Sequence, residues 1–206
     1  MKIISASTEI LDATPYLEQT IEEAGRVCYK SEDRITEDSA AGFIERLAAS
    51  EHESVLEHGS ITVKFICDRG VSHELVRHRL ASFSQESTRY CNYSKDKFGN
   101  ELTFIRPCFF KEGWEATILW QDAMANAEQT YLDMLKAGAS PQEARSVLPN
   151  SLKTEIVVTA NPREWKHIFK LRCATAAHPQ MREVMIPLQA KFAARWPAIF
   201  GGSDNA

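Results

Sequence analysis

Residues 77–90 read RHRLASFSQESTRY. Three large basic side chains stand in a row, a polar run from Ser84 to Thr88 follows, and Arg89 closes it. Such a stretch concentrates ligands for anions. A guanidinium grips a phosphate through two parallel hydrogen bonds, and hydroxyls and backbone N–H groups can cradle the remaining oxygens. On a regular helix successive residues are rotated by about 100°, so Arg77 and Arg79 would point to nearly opposite sides. One small anion does not engage both unless the chain leaves helical geometry here. The simpler expectation is two anionic partners. The plainer alternative is a charged helix end whose arginines pair with acids.

Working outward, 206 residues with 44% hydrophobic composition suit one compact domain over 1–200, with the GGSDNA segment at 201–206 expected to be a flexible tail. The net charge of −4 disfavours a general DNA or RNA binder, which is usually basic. The start, MKIISASTEILDATP, lacks a signal-type apolar run, and no stretch is long and apolar enough to span a bilayer. A cytoplasmic protein with no membrane and no nucleic-acid partner is expected. The five cysteines, Cys28, Cys67, Cys91, Cys108 and Cys173, are odd in number and widely spaced, with no C-x-x-C. Reduced, mostly buried thiols are expected rather than a disulfide framework or a zinc site.

Local signals predict a helix-rich α+β fold. Thr14-Pro15 places a cap and a first-turn proline before YLEQTIEEAGRVCY. EDSAAGFIERLAAS carries apolar residues at helical spacing, SITVKFICD alternates as a strand does, and SHELVRH reads as a helix. GWEATILWQDAMANAEQTYLDMLKAG is a long amphipathic helix ending near Gly138, and Ser140-Pro141-Gln142-Glu143 is a capping box. LKTEIVVTA is a second strand, Asn161-Pro162 opens the helix REWKHIFKLRCAT, and Pro187 should kink or break the last helix. No G-x-G-x-x-G follows a strand and no G-x-x-x-x-G-K-[ST] occurs, so the fold is not expected to be of Rossmann type. Any nucleotide phosphates must then be held by arginines and helix N-termini.

Arg77-His78-Arg79, seven residues and then Ser87 resemble the R-H-R-x7-S signature of the flavin-dependent thymidylate synthases, the ThyX family. The likeness continues through Arg89-Tyr90 and includes HESVLEHGSITVKF at 52–65, ARSVLP at 144–149 and NPREWKHIFKLR at 161–172. It implies a mixed, helix-rich α+β fold of its own and a homotetramer with active sites built from several subunits. The implied reaction converts dUMP to dTMP with 5,10-methylenetetrahydrofolate as carbon donor and FAD, reduced by NADPH, as hydride source. Two anions, a pyrophosphate and a phosphate monoester, would then explain the opening stretch.

Position by position, the resemblance implies FAD contacts for Ser54, Glu57, Arg77, His78, Arg79, Gln85, Asn161, Arg163 and His167. It implies dUMP contacts for Glu74, Arg77, Gln85, Glu86, Ser87, Thr88, Arg89, Arg145 and Arg172, with Arg172 as the catalytic group that polarises the uracil ring. Asn161 can also cap its helix. Arg163 and Arg172 lie nine residues apart, two and a half turns, which predicts side chains on opposite faces. Ser84 stands where many relatives have Asn. Past Arg172 nothing is carried over, and His178 is unassigned.

No metal is expected. His73 and His78 of HELVRH are five apart, about 140° on a helix, and do not share a metal on one face. Cys108 of RPCFF, which superficially resembles a nucleophile, is expected to be a buried or semi-buried thiol. Two other readings stay open: a non-catalytic nucleotide- or RNA-binding module, and another flavin-dependent uracil methylase, one acting on a polymer. The acidic charge balance favours a small substrate.

Overall fold

The computed structural model describes residues 1–201, apart from the side chain of Lys97. The expected tail beyond Gly201 lies outside the described residues. In chain order the elements are β1 (Lys2–Ile4), β2 (Ser7–Ala13), α1 (Leu17–Val27), α2 (Ser39–Ala49), β3 (Ile61–Asp68), α3 (Arg69–Leu75), β4 (Ser82–Gln85), β5 (Thr103–Ile105), α4 (Glu115–Lys136), α5 (Pro141–Ala144), β6 (Lys153–Ala160), α6 (Pro162–Arg172), α7 (Pro179–Arg195) and α8 (Pro197–Phe200). The fold is α+β and helix-rich. β1 and β5 form a two-stranded sheet, and the other strands hydrogen-bond in the order β2-β3-β6-β4. Along β3 and β6 buried residues alternate with half-buried ones, the period-2 signature of a strand with one core face. No described helix is long and apolar enough to cross a membrane.

The chain divides into two compact units that interleave along the sequence, and β3 and β6 each pass from one to the other. The first comprises Met1–Ser7, Phe65–Arg77 and Ser84–Val157. In it β1 and β5 pair in parallel, Lys2 opposite Thr103 and Ile4 opposite Ile105. Its core gathers Leu102, Phe104, Met124, Tyr131, Ala144 and Leu152. The long α4 supplies a narrow buried stripe of Thr117, Met124 and Tyr131, and its chain then turns at Gly138 with φ +97°, where a side chain would be strained. The capping box at Ser140 and Glu143 is present but opens only the single turn of α5.

The second unit comprises Thr8–Lys64, His78–Phe83 and the chain from Val158 on. α1 and α2 pack so closely that a Cβ at Gly25 would lie 2.6 Å from the Phe43 ring. Beside that contact the buried Glu22 accepts from Arg26, and the Arg26 guanidinium lies 4.5 Å from the Phe43 ring centre. Trp165, Phe169, Phe192, Trp196 and Phe200 interlock α6, α7 and α8 as an aromatic cluster. Trp165 Nε1 donates to the Ile61 carbonyl at 3.0 Å, tying α6 to the start of β3.

Several expectations change. Thr14 does not cap α1: its hydroxyl accepts from Ser60 N at 2.9 Å, and Tyr16 takes the cap position with φ 51°. The predicted helix SHELVRH ends at Leu75, so Arg77-His78-Arg79 leaves helical geometry. Pro187 does not break α7, which runs through it. Met181, Val184, Met185, Leu188 and Phe192 are buried on this helix, and such packing outweighs the loss of about 3 kcal/mol that an internal proline costs. The strands β1, β2, β4 and β5 were not foreseen. Of the five thiols only Cys67 is fully buried, and Cys28 and Cys108 are exposed, against expectation. Cys108 sits in a turn that follows β5, where no core element covers it.

Candidate functional site

In the second unit the site is organised by α6. Asn161 caps it, its Oδ1 accepting from Glu164 N at 2.8 Å, and Pro162 occupies the first helical position. Arg163, Lys166, His167 and Lys170 follow at three- and four-residue spacing, so they share one helical face. That face lines a cavity of about 920 Å³, completed by Asn161 and Glu164 of the helix start, by Glu53 and Glu57 from the turn before β3 and by Leu80. The volume lies within the roughly 300–1,000 Å³ usual for small-molecule and cofactor sites. Two of its cations are already engaged. Arg163 Nη1 donates to Glu57 and lies 4.0 Å through Nε from Glu53, and Lys166 donates to Glu53.

At the inner edge of this face stands His78. It is 5% exposed, its ring packs edge-to-face against His167 with centroids 5.9 Å apart, and Glu164 Oε1 is 3.4 Å from its Nδ1. Arg172 Nε donates to its Nε2 at 2.9 Å. Burial, then the Arg172 charge and His167, pull its pKa down from 6.5 to about 4, so His78 is neutral at pH 7. Glu164 is pushed the other way, upward, chiefly by burial. His78, Glu164 and His167 each bring one ligand atom within 4.8 Å of the others, a grouping that could hold a metal ion. The Arg172 donor already occupies one His78 nitrogen and its positive charge opposes a cation there.

A pH dependence follows from His78. Unfolded, it takes up its proton near its ordinary value of about 6.5; folded, only near 4. Between these values the unfolded chain holds more protons, so the contribution to stability is complete above 6.5 and is lost as pH falls towards 4. The thermal midpoint is expected to drop between pH 7 and pH 5, and His78→Gln should flatten that slope. Equal slopes in the two proteins would mean that another group titrates.

The first unit carries a second polar cluster around β4 and β6. Gln85 donates through Nε2 to Ser72 Oγ at 2.9 Å and Thr154 Oγ1 at 3.2 Å. Glu86 accepts from Tyr93 OH at 2.8 Å and from Lys153 at 3.0 Å. This carboxylate and burial together push the Tyr93 hydroxyl's pKa up, burial leading. Ser87 caps a turn, its Oγ accepting from Arg89 N at 3.3 Å. Arg145, in the turn after α5, donates to the buried Thr88 hydroxyl at 3.5 Å although 57 positions separate them. Arg89 is exposed, stacked 5.4 Å over the Tyr90 ring.

The structure thus brings Glu57, Asn161, Arg163 and His167 to one cavity, and sets His78 and Arg172 against its edge. Ser54 and Arg79 belong to the same unit and are exposed, but do not line that cavity. Glu74, Arg77, Gln85, Glu86, Ser87, Thr88, Arg89 and Arg145 belong to the other unit. The opposite-face expectation for Arg163 and Arg172 holds only in part. Arg163 turns to Glu57, while Arg172 turns to His78, which itself touches His167 of the cavity. Lys166 and Lys170 were missed although their spacing from Arg163 announces a shared face. Glu164 was also missed, and no local signal points to it. His178 is exposed and caps α7, its Nδ1 accepting from Gln180 N at 3.3 Å.

Residues 9–198 match the family described as Thymidylate synthase complementing protein. A flavin-dependent thymidylate synthase from Pyrococcus abyssi is 36% identical over 184 residues, covering 86% of this chain and 75% of that protein. Another, from Geobacter sulfurreducens, is 32% identical over 198 residues, 93% of this chain and 84% of that one. Among solved structures, the UMP/dUMP methylase PolB from Streptomyces cacaoi, bound with 5-Br dUMP, superposes with a TM-score of 0.80 at 25% identity, covering 98% of this chain and 96% of that chain.

Proposed function

The chain belongs to the flavin-dependent thymidylate synthase family, and from that premise we propose that it methylates dUMP to dTMP. The carbon comes from 5,10-methylenetetrahydrofolate, tetrahydrofolate leaves, and NADPH is the ultimate hydride donor. The working form is a homotetramer in the cytoplasm, and residues 1–200 act as one domain of this type. The observation that carries the reading is the α6 cavity. Glu57 and Arg163, 106 positions apart, meet in it, beside Asn161 and His167.

The cavity fits a flavin dinucleotide in size and in donors. Arg163, Lys166 and Lys170 offer cations to a pyrophosphate, and Leu80 offers an apolar surface. When bound, FAD supplies the hydride that completes the methyl group. Nucleotide binding falls to the first unit, where Arg145 and Arg89 would hold the dUMP phosphate with the Ser87-Thr88 turn. Arg172 would face the uracil. C5 must become nucleophilic to accept the carbon unit, and a guanidinium at the pyrimidine carbonyl stabilises the negative charge that spreads through the ring as N3 loses its proton.

The deciding experiment is anaerobic incubation with dUMP, methylenetetrahydrofolate, FAD and NADPH, with product analysis for dTMP. UMP is assayed in parallel, because the PolB likeness favours a second reading in which the ribonucleotide is also a substrate. No dTMP from a flavin-loaded protein would overturn the proposal.

The proposed chemistry assigns no nucleophilic cysteine. Burial pushes the Cys67 thiol far up and the Cys173 thiol to about 11, so neither is a thiolate at neutral pH. A variant lacking all five cysteines is expected to retain appreciable dTMP synthesis. A folded, flavin-binding variant with none would restore a cysteine to the mechanism.

A further inference from the structure

We propose that Glu164 is a positioning residue that orients Arg172 through His78. The three side chains form a line: Glu164 Oε1 at 3.4 Å from His78 Nδ1, and His78 Nε2 accepting from Arg172 Nε at 2.9 Å. Because Nε2 accepts, it carries no proton. A neutral imidazole then carries its single proton on Nδ1, and the carboxylate oxygen is the acceptor that this tautomer requires. Without it the proton can move to Nε2, where it would meet the Arg172 Nε–H, donor against donor, and turn the guanidinium away. A guanidinium is planar, so anchoring Nε–H fixes the plane in which its other donors lie. A carboxylate that holds an imidazole in one tautomer, so that its far nitrogen can serve, is a recurring arrangement.

The surroundings favour a rigid line. Glu164 and His78 are 6% and 5% exposed, and His167 packs against the edge of the His78 ring. Burial keeps His78 neutral, which the arrangement needs. Glu164 also stands in the first turn of α6, where its own backbone N–H donates to Asn161. That bond belongs to the backbone, so a purely structural role of the side chain would be its negative charge at the positive end of the helix dipole, and the test must separate the two.

The proposal rests on the reading that Arg172 faces the uracil. Nitrogen NMR of the full chain with labelled histidines, at pH 7, reads the tautomer directly; the His78 signals are those lost in His78→Gln. The expected wild-type result is a protonated Nδ1 and an unprotonated Nε2, shifting towards Nε2–H in Glu164→Ala. In kinetics, Glu164→Ala is expected to lower kcat for dTMP by about 10–100-fold, the usual effect of removing a partner that orients a functional group. The KM for dUMP should move less. Glu164→Gln, which keeps an acceptor oxygen, should restore most of the rate. A helix-dipole role alone would lower the melting temperature and leave kcat in place. An Nε2–H wild type, or a Glu164→Ala protein with wild-type tautomer and kcat, overturns the proposal. If Glu164→Ala does not fold, the wild-type and Glu164→Gln spectra decide. If wild-type protein makes no dTMP, the functional reading falls and the tautomer still decides the line.

Discussion

Arg172→Ala is expected to lose about 10²–10³ of the dTMP-forming rate, the usual loss when one donor aimed at developing charge is removed, while it keeps its flavin and the reduction of that flavin by NADPH. The split follows from where Arg172 points. It is the last residue of α6, and its side chain goes to His78, whereas Asn161 and Arg163, which line the cavity, stand about two and a half to three turns nearer the helix start. Arg172→Lys keeps the charge but loses the planar fork, so only partial rescue is expected. The measurements are dTMP formation and, in the same sample, bleaching of flavin absorbance. Near wild-type synthesis would remove Arg172 from the mechanism. Loss of flavin with dUMP affinity intact would move it to the cofactor site.

Arg145→Ala is expected to weaken dUMP binding by about 10–100-fold, corresponding to the roughly 1.5–3 kcal/mol carried by a hydrogen bond to a charged group. Flavin occupancy should not change. Arg145 lies in the first unit, in a turn held by the capping box of Ser140 and Glu143, and reaches the buried Thr88. A phosphate there would meet a donor already in place. Titration calorimetry with dUMP checks the affinity and an absorbance scan the flavin. Equal loss of both ligands would show that Arg145 holds the fold rather than the nucleotide.

What could be read from the sequence depended on range. The β3 and β6 strands, the length of α4, the capping box at Ser140 and the Asn161 cap are local, and their rules are written within a few residues. β1 could not be read that way: three residues become a strand only because Thr103–Ile105 pairs with them. Thr14 had a cap's chemistry, but its hydroxyl accepts instead from the distant Ser60 N. The opening arginines could be read as candidate anion ligands, but their departure from helical geometry could not, since α3 ends before them. The site divides in the same manner. The α6 face follows from spacing, but His78 meets Arg172 across 94 positions, and only the folded chain brings Glu164 to its other nitrogen.

The ion pairs in the α6 cavity have a bearing on selectivity. Arg163 and Lys166 hold Glu57 and Glu53, so an anion entering does not find these two cations bare. Binding there is an exchange, in which carboxylates are displaced and left beside an incoming negative charge. Inorganic phosphate brings nothing to offset that repulsion. A ligand that carries a broad aromatic ring system with its phosphates does, by covering apolar surface as it enters. On the proposed reading, the acidic residues that oppose a phosphate would therefore act as a filter, admitting the large ligand and turning away the small one.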